Sequence, residues 1–256
     1  MNLLALVGRV FLAFLTQVGQ FTLFALVSLS HCLRPPFYLR LTARQMIEIG
    51  YYSLPVVGLT AIFTGMVLAL QTSSGFSELA AESSVAMIVA WGMTRELGPV
   101  LAGLMVAGRI GAAMAAEIGT MKVTEQVDAL YTLSTNPYKY LVVPRLIAGA
   151  TMLPLLVLVA DIIGIFGGYV LGTTKLGFSE HGYISATWRH LEFIGVVSGL
   201  TKAAVFGLVI ALMGCYHGIH SRGGAQGVGK ATTNAVVSAS ILILLLNYVL
   251  TEMFFA

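Results

Sequence analysis

Long apolar runs recur through this chain, at about 47–70, 85–118, 141–171, 193–215 and 231–252. A bilayer's hydrocarbon core, ~30 Å thick, needs a helix of about 20 such residues, and each run reaches that length. One soluble core has no room for five of them. Composition agrees: 57% of the 256 residues are hydrophobic and 10% are charged, with a mean hydropathy of +0.89. The chain reads as an all-α integral membrane protein. No basic run supports nucleic-acid binding. Cys32 and Cys215 share no motif spacing, so no disulfide is expected.

Residues 3–29 are also apolar, but Asn2, Arg9, Thr16 and Gln20 fall on one narrow face at about 100° per residue. That stripe predicts a helix lying in the interface rather than crossing. Six spans, with 3–29 crossing, is the alternative. The following basic connector holds Arg34, Pro35, Pro36, Arg40 and Arg44. Residues 1–45 thus form an interfacial helix with its connector, and 46–256 form the membrane domain.

The first span carries Pro55, Gly58 and Gly65, which suggest bending and close packing. A polar outer loop, 71–84, with Glu78 and Glu82 follows. The second span, about 34 residues or roughly 50 Å, exceeds the hydrocarbon thickness and must tilt, bend near Gly98-Pro99, or project from the membrane. Thr124 to Leu133 predicts a short amphipathic helix, with Thr124 as N-cap and Val127, Leu130 and Tyr131 on one face. The third span carries Pro144, Pro154 and Asp161, and a second outer loop covers 173–192. A glycine-rich loop, 216–230, separates the last two spans.

Lys and Arg accumulate on cytoplasmic sides of membrane proteins. Arg34, Arg40, Arg44, Arg109, Lys122, Lys139, Arg145, Arg222 and Lys230 fall on or near one side, against Lys175 and Arg189 on the other. This places the amino terminus inside and the carboxyl terminus outside.

Chemistry-bearing residues are few. Gly224 to Lys230 fits the start of a phosphate-binding loop, but Ala231 stands where the magnesium-binding hydroxyl belongs and no strand precedes it. A flexible cytoplasmic turn is the expectation. Cys215, His217 and His220 lack a fourth metal ligand nearby. No nucleophile and base stand at motif spacing, so neither catalytic nor metal-binding residues are assigned. The small residues of the second span, Gly103, Gly108, Gly111 and Gly119 among them, suit close helix packing within the bundle or between two copies. Arg95 and Glu96 are the anomaly. A charge at the bilayer centre costs about 2.5–3.5 kcal/mol on insertion scales. Being adjacent, the two side chains point about 100° apart, so each needs another partner.

Arg95-Glu96-Leu97-Gly98-Pro99-Val100, Gly108-Arg109-x-Gly111, Ala116-Glu117-Ile118-Gly119-x-Met121, Glu125-Gln126-x-Asp128-Ala129-Leu130 and Pro144-Arg145 together resemble the MlaE (YrbE) permeases. The likeness extends through Gly65-Met66-Val67-Leu68 and Gly227-Val228-Gly229-x-Ala231-Thr232. The resemblance implies the permease subunit of an ATP-driven transporter that moves phospholipid between the inner and outer bacterial membranes. It also implies a homodimer, a cytoplasmic ABC ATPase (MlaF-like) that binds the ATP and magnesium, a STAS-domain protein (MlaB-like) and a periplasmic MCE-domain hexamer (MlaD-like). A lipid cavity then falls to Leu68, Gln71, Arg95 and Glu96, and ATPase coupling to Glu125, Gln126, Asp128, Leu130 and Tyr131. The competing readings are an intramembrane lipid-modifying transferase, a structural scaffold, and a related permease carrying sterol or another hydrophobic cargo.

Overall fold

The computed structural model describes residues 3–75 and 78–255, and all of its regular elements are helices. Asn2 of the expected polar stripe, and Phe76 and Ser77 of the first outer loop, lie outside the described residues. In chain order the helices are α1 (Leu3–Cys32), α2 (Leu39–Ile49), α3 (Leu54–Ser73), α4 (Glu78–Trp91), α5 (Gly98–Val106), α6 (Ala112–Val123), α7 (Gln126–Thr132), α8 (Val143–Thr174), α9 (Glu180–His190), α10 (Phe193–Ile219) and α11 (Gly224–Phe255). Among the described residues, six helical stretches are long and apolar enough to cross a membrane. That is one more than the five expected. The extra one is α1, which runs unbroken for 30 residues, roughly 45 Å, and so has the reach of a span as well as the stripe of an interfacial helix. It docks through Phe24 and Ser28, both buried, with Phe21 and Phe24 edge-on to Tyr216.

The second span is α4, α5 and α6 joined by two π-helical turns, Gly92–Leu97 and Ala107–Gly111. A third π-turn, Tyr138–Val142, leads into α8. Two of the three stand just ahead of a proline, Pro99 or Pro144. Proline has no N–H for the carbonyl four residues back, so the helix there rewinds into a wider turn. Pro154 lies inside α8 without ending it.

Three loop expectations are corrected. The outer loop 71–84 is largely helical, because α3 runs to Ser73 and α4 starts at Glu78. The second outer loop contains α9, whose N-cap Ser179 accepts the Gly182 N–H at 3.2 Å. Tyr183 and Ala186, one turn apart, bury its inner face, and burial pushes the Tyr183 phenol above its ordinary range. The 216–230 loop is short, since α10 continues to Ile219 and α11 begins at Gly224. The glycine-rich segment that resembled a phosphate loop is therefore the opening of a helix. The N-cap of α7 is Glu125, in a left-handed conformation at φ 63°, rather than Thr124. Thr124 ends α6 instead, its hydroxyl donating to the Thr120 carbonyl at 2.8 Å.

Helix α10 is the most buried of the candidate spans, while α1 and α11 are the least. Around it α3 packs on α8, α8 on α10, and both α6 and α11 on α10. Helices pack in lipid without a hydrophobic drive between them, so backbones must approach closely. Gly65 of α3 lies against the Gly164 carbonyl of α8, and Gly149 of α8 faces Gly207 of α10 in the same manner. The second span's small residues are used mostly inside the bundle: Gly103 faces Phe206 and Ile243, Gly111 faces Ile210, and Gly119 faces Ser221. Gly108 alone of the four meets open space.

Gly149→Val drives a branched side chain into the Gly207 backbone and should lower stability by about 1–3 kcal/mol. Gly108→Ala should stay within about 0.5 kcal/mol of the parent. Thermal unfolding of the two variants in detergent checks this, and equal melting shifts would contradict the backbone-contact account.

Candidate functional site

The π-turn Gly92–Leu97 sets the position of Arg95 and Glu96. Pro99 cannot donate to the Arg95 carbonyl, and that carbonyl is taken instead by the Lys202 ammonium of α10 at 2.8 Å. The same ammonium donates to Glu96 Oε1 at 2.7 Å and to Thr251 Oγ1 of α11 at 2.8 Å. All three of its N–H bonds are thereby used, which a fully buried Lys requires. Asn247 Nδ2 donates to the other Glu96 oxygen at 2.8 Å. One carboxylate thus ties the second span to α10 and α11 at once.

Arg95 turns the other way, as the helical geometry demanded. Its guanidinium bonds Glu192, the residue before α10, at 2.7 Å and sits 4.6 Å from the ring centroids of Trp91 and Phe255. Trp91 in turn donates to the His190 carbonyl at 2.7 Å. The guanidinium is half-buried between two aromatic faces, an arrangement that holds a cation over a ring's negative face. Arg95 therefore closes one end of the bundle, and Glu96 lies one step further in.

Leu68 packs over Gly92, the first residue of the π-turn and one turn ahead of Glu96. Gln71 follows, exposed, on the next turn of α3. Among the described residues α11 packs along α6 and α10 rather than along α3. The single chain brings Leu68 and Gln71 to the same end as Arg95 and Glu96 but leaves their shared face open. Lys202, Asn247 and Thr251 were missed from sequence. Lys202 carried the signal: it is a lone lysine inside an apolar span, and such residues normally mark a partner or a pathway. Asn247 and Thr251 carried none, because polar uncharged residues are common in spans.

At the opposite end, α7 buries Val127, half-buries Leu130 and leaves Tyr131 and Leu133 at 57% and 72% exposure. Asp128 is bonded within the chain, to Lys122 at 2.8 and 2.9 Å. Gln126 donates to Thr124 Oγ1, which leaves Glu125 as the exposed acid of this segment. Helix α7 thus leaves an apolar edge exposed. His217 Nε2 contacts Ser238 Oγ at 3.1 Å and His220 Nδ1 contacts the Tyr216 carbonyl at 2.8 Å. No group of three metal-ligating side chains is gathered among the described residues. Asp161 is buried against Gly98, next to the same π-turn.

The described residues thus form a multi-pass α-helical bundle with an internal charge network at one end and an outward-facing short helix at the other. Residues 42–253 match the family described as Permease MlaE. The chain is 56% identical over 255 residues to a probable ABC transporter permease protein of Rickettsia felis, covering 100% of this chain and 98% of that one. It is 32% identical over 257 residues to the intermembrane phospholipid transport system permease protein MlaE of Haemophilus influenzae, covering 99% and 98%. It is also 37% identical over 223 residues, 87% and 64% of the two chains, to the chloroplastic protein trigalactosyldiacylglycerol 1 of Arabidopsis thaliana. The chain belongs to the MlaE permease family, and is the permease component of an ABC transporter.

Lys202→Met strands Glu96 without its cation and should reduce stability by about 3–5 kcal/mol, less whatever solvent screening the 37% exposed carboxylate side chain receives. Combining it with Glu96→Gln should restore part of that loss. A double-mutant cycle on thermal unfolding measures the coupling, and strict additivity would remove the pair from its structural role.

Proposed function

We propose that this chain moves phospholipid between the inner and outer bacterial membranes, as the inner-membrane permease of an ATP-driven system. The observation that carries the reading is the Glu96–Lys202 pair seated on the π-turn ahead of Pro99. A turn that lacks one backbone hydrogen bond is a weak point in a membrane helix, and this one is held by side chains from two other spans. Movement of α10 or α11 is thereby felt at Leu68, Gln71, Arg95 and Glu96, the residues assigned to the lipid cavity. The printed name of the Haemophilus relative supports phospholipid as the cargo.

The chain acts as a homodimer, with the cavity closed between the open α3 faces of two copies and α11. Its amino terminus is cytoplasmic and its carboxyl terminus periplasmic. A cytoplasmic ABC ATPase hydrolyses ATP with magnesium and receives α7, burying Tyr131 and Leu133 with Leu130 beneath them. Glu125 and Gln126 lie on the rim of that contact, and Asp128 braces α7 through Lys122. A STAS-domain protein and a periplasmic MCE-domain hexamer complete the assembly. Residues 1–45 form the interfacial segment and 46–256 the permease domain.

The test is reconstitution of the assembled transporter in proteoliposomes with labelled phospholipid. ATP-dependent movement is expected, and none when the ATPase is inactivated. Leu130→Asp should abolish that movement while leaving the permease folded, and Glu96→Gln should cut transport with expression and assembly intact. Normal transport by Leu130→Asp would remove α7 from the coupling role. A mass spectrum of lipids extracted from the purified complex that held sterol in place of phospholipid would overturn the cargo.

A further inference from the structure

A cavity of about 400 Å³ opens between α2, α6 and α8, at the end of the bundle away from Arg95. Arg44 and Glu48 enter it from one face of α2, Glu117 from α6, Tyr140 from the π-turn ahead of α8, and Arg145 from the start of α8. Ile110 and Met114 line it from the second span. Arg145 is only 4% exposed. Its two terminal nitrogens donate to the Leu141 carbonyl and to Glu117 Oε2, both at 2.6 Å, while its buried Nε–H makes no hydrogen bond with the protein. A buried guanidinium donor left unbonded is costly, so it calls for an acceptor. Glu117 keeps 58% of its side chain exposed, and Glu48 keeps 50% while lying 3.5 Å from Arg109. Arg44 has no acidic partner within ion-pair distance among the described residues.

Two cations and two anions around one cavity match a ligand that carries both charges. The outer face of the α2 segment is apolar and aromatic, with Ile47, Tyr51 and Tyr52 all more than half exposed. Aromatic side chains of that kind sit at headgroup depth, which places the cavity mouth among lipid headgroups. Its volume lies at the small end of the ~300–1,000 Å³ typical of ligand sites, enough for a headgroup and glycerol but not for acyl chains.

We propose that this chamber binds the phosphoethanolamine headgroup of an inner-leaflet phospholipid, with the phosphate on Arg44 and Arg145 and the ammonium on Glu48 and Glu117. An anionic headgroup without an amine would meet the half-exposed Glu48 and Glu117 carboxylates with no cation of its own to offer them. A choline headgroup has no N–H to donate to them. The inference rests on the reading of the chain as a phospholipid permease with α2 at the cytoplasmic side. It adds a second lipid site, at the other end of the bundle from Leu68 and Glu96.

The full chain, in nanodiscs of phosphatidylglycerol doped with phosphatidylethanolamine or phosphatidylcholine, is assayed for retained lipid by native mass spectrometry. Phosphatidylethanolamine should be retained over both others, and Arg44→Gln or Glu48→Gln should each weaken retention about tenfold, the size of one charge-assisted hydrogen bond. Both positions are solvent-exposed on α2, so folded protein is expected from each variant. Retention blind to headgroup, or indifferent to both substitutions, overturns the proposal. Displacement by equimolar soluble phosphoethanolamine overturns the assignment to a lipid. In the assembled transporter, a photoreactive phenylalanine analogue replacing Gln45 should crosslink lipid, and a crosslink to the ATPase instead would also overturn it. The retention assay contains neither ATP nor partners, so failed transport by the complex counts against the permease reading alone.

Discussion

The ammonium of Lys202, buried among three helices, is bonded to a backbone carbonyl, a carboxylate and a hydroxyl. In hydrocarbon neither a charge nor a free carbonyl finds water, so each must find the other. Pro99 frees the carbonyl, the resulting π-turn swings Glu96 toward α10 and α11, and Lys202 answers both needs with one group. Remove Lys202 and the Arg95 carbonyl loses its side-chain donor and Glu96 its cation. The local widening of the second span and the tertiary junction of three spans are therefore a single feature.

The rest of the bundle is arranged to let that junction form. Glycine pairs between α3 and α8, and between α8 and α10, bring backbones into contact, since dispersion at short range is what holds helices together in lipid. Helix α10 becomes the buried axis, and it delivers Lys202 on one side and Gly207 on the other. Helix α11, largely exposed along its length, is held at its far end by Asn247 and Thr251 through Glu96.

Polar chemistry at the other end is looser and more solvated. The Arg109–Glu48 pair joins α2 to the second span and the Arg145–Glu117 pair joins the second span to the third, and Lys139 bonds the Pro35 carbonyl of the connector after α1 at 2.7 Å. Asn136 caps the turn that follows α7 by accepting the Tyr138 N–H at 2.9 Å. Helix α7 is thus anchored on both sides while its apolar edge remains outside.

Hydropathy alone determined that this chain is a helical membrane protein, and placed its major spans and the amphipathic segment after Lys122, because the length and polarity of a span follow directly from bilayer thickness. Adjacency on a helix also determined that Arg95 and Glu96 would take separate partners. The motifs from Arg95 to Arg145 carried the family. Periodicity does not decide whether α1 crosses or lies in the interface, since a narrow polar stripe and a 30-residue apolar helix are compatible in one sequence. Nor could it see α9, capped by Ser179, or the opening of α11 at Gly224. Only the tertiary structure decided who the partners are. Glu192 and Lys202 stand 97 and 106 residues from Arg95 and Glu96, and the four charges around the α2 cavity come from three helices. Such pairings are set by how helices cross in three dimensions, which no local pattern along the chain encodes.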